Sequence, residues 1–240
     1  MAESNKPERQ TIVELKDLWK SYYPGKVRLD ALKGINLKLI QGDFIAVAGP
    51  SGSGKTTLMN IIGLIDKPTS GSIIIEGEEA DHWTREKQTQ MRHEAIGFIF
   101  QSFNLLPVLT VFENIELPLL LGKNKGSKVS RKERVEALLE EVGLADRRNH
   151  LPAELSGGQQ QRAAIARALV MRPKIVIADE PTANLDSQNG ERVLSLMKKV
   201  NAEDNTTFVF STHDSVIWGM AQHVIFLHDG DIKSETKKSV

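Results

Sequence analysis

The run Gly49-Pro50-Ser51-Gly52-Ser53-Gly54-Lys55-Thr56 constrains this chain more than any other stretch, because its chemistry is local and the context it demands is narrow. It fits GxxxxGK[ST], and it stands between an apolar strand-like run, Phe44–Ala48, and a stretch of helical character over 55–64. Glycines let the backbone curl until its N–H groups converge on an anion, and a helix start adds partial positive charge at the same place. A lysine at position 55 of such a loop reaches the outer phosphates of a nucleotide, and the hydroxyl of Thr56 is a ligand for Mg²⁺. An accidental glycine-rich turn needs neither the strand before nor the helix after, so nucleotide binding is the expectation.

The remaining pattern alternates. Short β-rich runs occur at 12–18, 35–40, Phe44–Ala48, 72–76, 96–100, 175–178, Thr207–Ser211 and 224–227. Three of them, Phe44–Ala48, 175–178 and 208–210, are apolar at consecutive positions, as expected of strands covered by helices on both faces of a parallel sheet. The runs at 12–18 and 35–40 mix charged and apolar residues and read as half-exposed antiparallel strands. Helical spacing predicts helices over 55–64, 130–142 (Val135, Leu138, Leu139 and Val142 on one face, Gly143 as the stop), 159–170 and 190–200. From about 102 to 160 helices occur without a convincing strand, which predicts a helical insertion into an α/β core.

A second chemical signal is 175–180, Ile-Val-Ile-Ala-Asp-Glu, an apolar strand ending in two acids. Open α/β sheets bind ligands beyond the carboxyl ends of their strands, so Asp179 suits a Mg²⁺ shell and Glu180 suits a general base for an attacking water. Two surface acids before Pro181 are the plainer alternative, and the phosphate loop upstream argues against it. Gln101 and His213 follow two further strand-like runs. If their strands neighbour that of Asp179, Gln101 can contact Mg²⁺ or the lytic water, and His213 can orient that water or stabilise developing charge.

Composition narrows the classes. The 240 residues carry 31 Lys+Arg against 31 Asp+Glu, so no cation excess exists for a nucleic acid partner. The absence of cysteine removes disulfides, thiol nucleophiles and Cys-type zinc sites. No stretch approaches the roughly 18 consecutive apolar residues of a membrane span, and the polar first ten residues do not read as a secretory signal. These features predict a soluble chain of the cytoplasm. Residues 1–11 and 233–240 read as solvated tails, the latter with lysines at 233, 237 and 238 that could also touch anionic lipid.

Leu155-Ser156-Gly157-Gly158-Gln159 precedes an alanine-rich helix. The residues alone leave two readings open, a simple capped helix or a second anion site at a helix start. Here the chain resembles the ATP-binding-cassette (ABC) transporter ATPases: GPSGSGKT (49–56), Gln101, LSGGQ (155–159), IVIADE (175–180), NLD (184–186) and His213 stand in that family's order. Finer stretches at 60–71, 96–121 and 155–169 are similar to the macrolide-exporter and lipoprotein-release group, with Ala183 where that group usually has glycine.

The resemblance implies a P-loop NTPase core, RecA-like, with an antiparallel β subdomain and an inserted α-helical subdomain: 12–101 and 171–232 as core, 102–170 as helical insert. It implies an ATPase using ATP and Mg²⁺, the metal held by Thr56, Gln101 and Asp179, with Glu180, His213 and Gln101 catalytic. Nucleotide contacts would come from Tyr22 (Tyr23 being the alternative) stacking on adenine, and from Gly49, Pro50, Ser51, Gly52, Ser53, Gly54, Lys55, Thr56 and Thr57. A second copy of the chain, docked head to tail, would add Ser156, Gly157, Gly158 and Gln159, with Asp186 at the seam. The other implied partner is an integral membrane permease with a large extracytoplasmic domain. The subunit would attach peripherally to the cytoplasmic face of that membrane and drive export, or signal through a membrane partner as related cassettes of the cell-division complex do. The apolar run from Phe103 to Phe112, flanked by Pro107 and Pro118, is core of the insert or permease groove, and both readings stand.

Overall fold

A computed structural model describes residues 10–121, 127–183, 185–212 and 215–238. The chain runs β1 (Thr11–Tyr22), β2 (Leu29–Ile40), β3 (Phe44–Ala48), α1 (Lys55–Ile62), β4 (Ser70–Ile75), β5 (Glu78–Glu79), α2 (Arg85–Ala95) and β6 (Ile96–Ile99). Helices α3 (Val111–Leu121), α4 (Lys128–Glu141) and α5 (Gly157–Leu169) follow. Then come β7 (Ile175–Asp179), α6 (Ser187–Asp204), β8 (Thr207–Ser211), α7 (Ser215–Met220), β9 (His223–His228) and β10 (Asp231–Lys237).

Two sheets result. One is antiparallel, in the order β2-β1-β4-β5. The other has the order β10-β9-β3-β8-β7-β6, parallel from β9 through β6. Period-two alternation along the buried strands divides the core. Ile45, Val47, Ile175, Ile177 and Val209 pack toward the antiparallel sheet and α1. Phe44, Val176, Ala178, Phe208 and Phe210 pack into the cluster built with α3, α4, α5 and α6. There the Phe44 ring lies 5.0 Å from Phe208 and 5.1 Å from Phe210, a tilted aromatic cluster at the centre of the helical side. Strands covered on both faces need no polar alternation, which is why these runs are continuously apolar.

Several elements differ from expectation. Residues 233–237 are not a loose tail: they belong to β10, which pairs antiparallel with β9 from Asp231↔His228 to Lys237↔His223. Residues 233–237 of it are exposed and polar, three of them charged, as suits a protected sheet edge, and backbone pairing rather than an apolar pattern holds it. At the other end Thr11 already belongs to β1. Helix α2 has few apolar residues, and the sequence signal for it is the Thr84 cap, whose hydroxyl accepts from Lys87 N at 3.2 Å. Pro118 lies inside α3 rather than flanking the apolar run. That run splits: Val111 is fully buried, Leu105 and Phe112 pack against the core, and Leu106 and Val108 are exposed.

The loop from Gln101 to Thr110 is held by two side chains. Buried Asn114 accepts from Leu106 N at 2.8 Å and donates to the carbonyls of Leu106, Leu109 and Thr110 at 2.9–3.1 Å. Arg167 donates to the carbonyls of Phe103 and Asn104. Asn114→Ala strands these buried backbone groups, so a loss of about 2–4 kcal/mol of folding stability is expected, read as a lower urea midpoint. An unchanged midpoint would show that the loop is held elsewhere.

Candidate functional site

Because β3, β8, β7 and β6 are parallel neighbours, their carboxyl ends open on one edge of the sheet. The register sets Val47 against Ser211 and Ser211 against Asp179. The strand of residues 207–211 therefore does neighbour the Asp179 strand and separates it from the phosphate loop. A cleft of about 830 Å³ lies over this edge, lined by the loop of α1 together with Gln101, Asp179, Glu180 and Ser211.

The loop between β3 and α1 leaves no room for a side chain at two of its glycines. Gly49 has φ 144°, and a Cβ there would lie 2.0 Å from the Leu227 carbonyl oxygen. Gly54, with φ 104°, caps α1, and a Cβ on it would meet the Ala31 carbonyl at 2.5 Å. Ser51 and Gly52 line the open side, Pro50 turns the loop, and Thr56 and Thr57 stand on the first turn of α1. Lys55 is largely buried, and its ammonium donates to the carbonyls of Gly49 at 2.7 Å and Pro50 at 2.9 Å. Burial draws its pKa down, and the carboxylates of Glu180 and Asp179 act in the opposite direction. The Ser53 hydroxyl oxygen is buried without a hydrogen-bond partner among the described residues. An orphaned hydroxyl, a stored ammonium and a glycine cradle together fit a phosphate chain.

Asp179 ends β7, and Glu180 follows in left-handed conformation at φ 46°. Its N–H donates to the Ser211 carbonyl at 2.8 Å, and its Oε2 accepts from the Thr212 hydroxyl at 3.2 Å. Both contacts come from the end of β8, so that strand aims the carboxylate. A non-glycine residue held at positive φ is strained, and such strain gathers at functional positions. Among the described residues no three His, Cys, Asp or Glu side chains gather to hold a metal. The Thr56 hydroxyl, the Gln101 amide and the Asp179 carboxylate are instead oxygen donors around one cleft, a set that suits Mg²⁺ when phosphate oxygens and water complete it.

Tyr22 also contributes to the lining of the cleft, whereas Tyr23 is 61% exposed and lies off it. Leu29, Asp30, Ala31 and Lys33 of β2 also line it, with Asp229 and Gly230 from the turn before β10. That turn backs the loop directly: Gly230 N donates to the Ser53 carbonyl at 3.0 Å, and Lys33 N to the Gly230 carbonyl at 2.9 Å. The sequence reading missed these residues. The Asp-Gly pair before β10 was the available signal for a hairpin turn.

Other expected residues do not reach the cleft. Ser156 caps α5: its hydroxyl accepts from Gln159 N at 3.3 Å, and the Gln159 amide oxygen accepts from Ser156 N at 2.9 Å. Ser156 and Gly157 are exposed, and none of residues 156–159 lines the cleft. A Cβ on Gly158 would lie 3.4 Å from Leu185, so this helix start adjoins the segment carrying Asp186. Asp186 caps α6 by accepting from Asn189 N at 2.9 Å, which holds its carboxyl below the usual range. These groups form a second polar face on the same chain. His213 and Asn184 lie outside the described residues.

Known proteins resemble this chain in sequence and fold. Residues 32–183 match the family described as ABC transporter. The chain is 45% identical over 229 residues to the uncharacterized ABC transporter ATP-binding protein MJ0796 of Methanocaldococcus jannaschii, covering 94% of this chain and 97% of that one. It is 43% identical over 225 residues to the macrolide export ATP-binding/permease protein MacB of Syntrophobacter fumaroxidans, 94% of this chain but only 32% of that larger protein. Among solved structures, a dimer of MJ0796 in a post-hydrolysis state bound to ADP and Pi matches with TM-score 0.90 and 43% identity, covering 95% of this chain and all of that one. The structure of cbiO1 from Clostridium perfringens, part of the transporter complex cbiONQ, matches with TM-score 0.83 at 30% identity, covering 96% of this chain and 89% of that one.

Proposed function

Since the chain belongs to the ABC transporter family and is an ATP-binding ATPase of that fold, we propose that it powers an export system through a separate membrane permease of the macrolide-exporter or lipoprotein-release type. The observation that carries this reading is the near-complete alignment of the chain with one third of MacB, a protein whose name joins ATP binding and permease in one polypeptide. No helix among the described residues is long and apolar enough to cross a membrane. A permease on another chain, holding this one at the cytoplasmic face, is supported by the relative MJ0796, an ATP-binding protein matched over 97% of its own length.

In the proposed mechanism adenine stacks on Tyr22 and the triphosphate enters the loop from Gly49 to Thr57. Lys55 turns from its own loop carbonyls to the β- and γ-phosphates. Thr56, Gln101 and Asp179 would hold Mg²⁺, which would supply neutralisation of charge on the phosphate oxygens. Glu180 takes a proton from water as the water oxygen bonds to the γ-phosphorus. The bond from that phosphorus to the β–γ bridging oxygen breaks, and ADP leaves with the electron pair, yielding ADP and phosphate. His213 would orient the water. Ser156, Gly157, Gly158 and Gln159 of a second copy would close over the γ-phosphate, with Asp186 at the seam between the two sites. The support is geometric: on one chain these residues stand away from the cleft, and the relative MJ0796 was solved as a dimer.

The permease surface is proposed at the groove of about 310 Å³ between α2, β6 and α3, where Phe98, Phe100, Leu117 and Leu121 meet Arg92. Isolating the tagged chain from detergent-solubilised host membranes is expected to bring down a multispan permease with a large extracytoplasmic domain. Recovery with an activator of wall hydrolases would instead favour signalling, and absence from the membrane fraction would sink both readings.

A further inference from the structure

Tyr22 is clamped more firmly than an aromatic on an open rim requires. Its hydroxyl donates to Asp66 Oδ2 at 2.9 Å, and the Thr57 side chain hydrogen-bonds to the same group. Asp66 is itself fixed from three sides. Lys20 Nζ donates to Oδ1 at 2.6 Å, Lys67 N donates to Oδ1 at 2.7 Å, and Asp66 N donates to the Asn60 carbonyl of α1 at 3.1 Å. Lys20 also donates to the Lys67 carbonyl at 2.8 Å, which closes the ring of contacts. Its ammonium stands 4.9 Å from the centroid of the Tyr22 ring, over one face. Lys20 does not line the cleft and Tyr22 does, so the opposite face is the one offered to a ligand.

The pair is partly shielded, with 12% of the Lys20 side chain and 30% of the Asp66 side chain exposed. Burial pushes the Asp66 carboxyl up, and the hydrogen bonds from Lys20 and Tyr22 outweigh it, so the group stays ionised and able to hold both partners. Asp66 also ties the rim to the phosphate helix. Helix α1 begins with Lys55 in the loop, and the turn after it carries Asp66. A base held against Tyr22 and phosphates held at the start of α1 are thus referred to one rigid element.

We infer that Asp66 and Lys20 are positioning residues that lock the Tyr22 ring with one face free, so that base stacking costs little ordering and nucleotide affinity depends on the Lys20–Asp66–Tyr22 contacts. This rests on the reading of Tyr22 as the stacking aromatic. Ordered rotamers bind better because less freedom is lost on binding.

The test measures Kd by calorimetry for ADP and for pyrophosphate, which lacks the base and sugar, on the full chain and four variants. Tyr22→Ala is expected to weaken ADP about tenfold or more, the scale of aromatic–base stacking. Asp66→Ala and Tyr22→Phe are each expected to weaken ADP about threefold to tenfold and leave pyrophosphate unchanged, and the double variant to be no weaker than either single one. If Tyr22→Ala weakens ADP while Asp66→Ala and Tyr22→Phe do not, the clamp is overturned and stacking stands. If Tyr22→Ala has no effect, stacking and clamp fall together. Equal losses for ADP and pyrophosphate would place the effect in the phosphate loop and overturn the inference. Should Asp66→Ala fail to fold, Tyr22→Phe decides, because it deletes one hydroxyl from a half-exposed ring.

Discussion

Replacing Glu180 by glutamine is expected to lower the ATPase turnover number by about 10²–10⁴-fold, the usual scale for removing a general base. The amide keeps the size of the carboxylate and still presents an oxygen to the Thr212 hydroxyl, which donates to Glu180 Oε2 at 3.2 Å. The backbone N–H of residue 180 keeps its contact with the Ser211 carbonyl, so the local geometry survives. What disappears is a group able to take a proton from water. ATP affinity should therefore remain within about threefold of the original, since the loss falls on the chemical step rather than on ground-state binding. Under the proposed head-to-tail dimer, a nucleotide that binds but is not cleaved would hold two copies together, so size exclusion of this variant with ATP is expected to show a dimer. Undiminished turnover would overturn the assignment of the base.

Ser156→Arg is expected to abolish that ATP-dependent dimer when made in the Glu180→Gln chain, and by itself to lower turnover by roughly two orders of magnitude, as loss of a donor at the transferring phosphate does. The side chain is exposed, and its local task is to cap α5 through the Gln159 N–H at 3.3 Å. Losing a cap costs about 1 kcal/mol, too little to unfold a chain of this size. Neither Ser156 nor its neighbours line the cleft of their own chain, so ATP should still bind the loop around Lys55. Binding by equilibrium titration and dimerisation by light scattering separate the two effects. A dimer that persists, or ATP binding that is lost with it, would rule out a site completed in trans.

Much of this site was legible because its parts are contiguous. The loop from Gly49 to Thr56 carries its own glycines, lysine and helix start, and the structure shows positive φ at Gly49, Gly52 and Gly54 within it. The capping box of Ser156 and Gln159 spans a few residues and forms as the pattern reads. The strand over 175–178 is apolar at every position and emerges as β7, buried on both faces. Local hydrogen bonding and side-chain period decide such features.

What lay outside that reach depends on pairing between distant segments. Nothing in the string 231–237 distinguishes a frayed terminus from a sheet edge, because its ladder partner β9 provides the stabilising contacts. Asn114 reads as one of three polar residues, with Glu113 and Glu116, in the stretch 111–121, and its task emerges only where it meets the carbonyls of the loop before α3. Tyr22 and Tyr23 are adjacent, and the strand alternation of β1 with Asp66 turns the first of them to the cleft rim. Motif order likewise places the LSGGQ residues and the phosphate loop on one chain without saying that they stand apart on it. The contiguous motifs named the candidate residues for the chemistry, since each motif folds on its own neighbours. The tertiary structure alone decided which of them share a cleft, because the insertion of β8 between β3 and β7 and the docking of β10 are set by burial against residues far away in the chain.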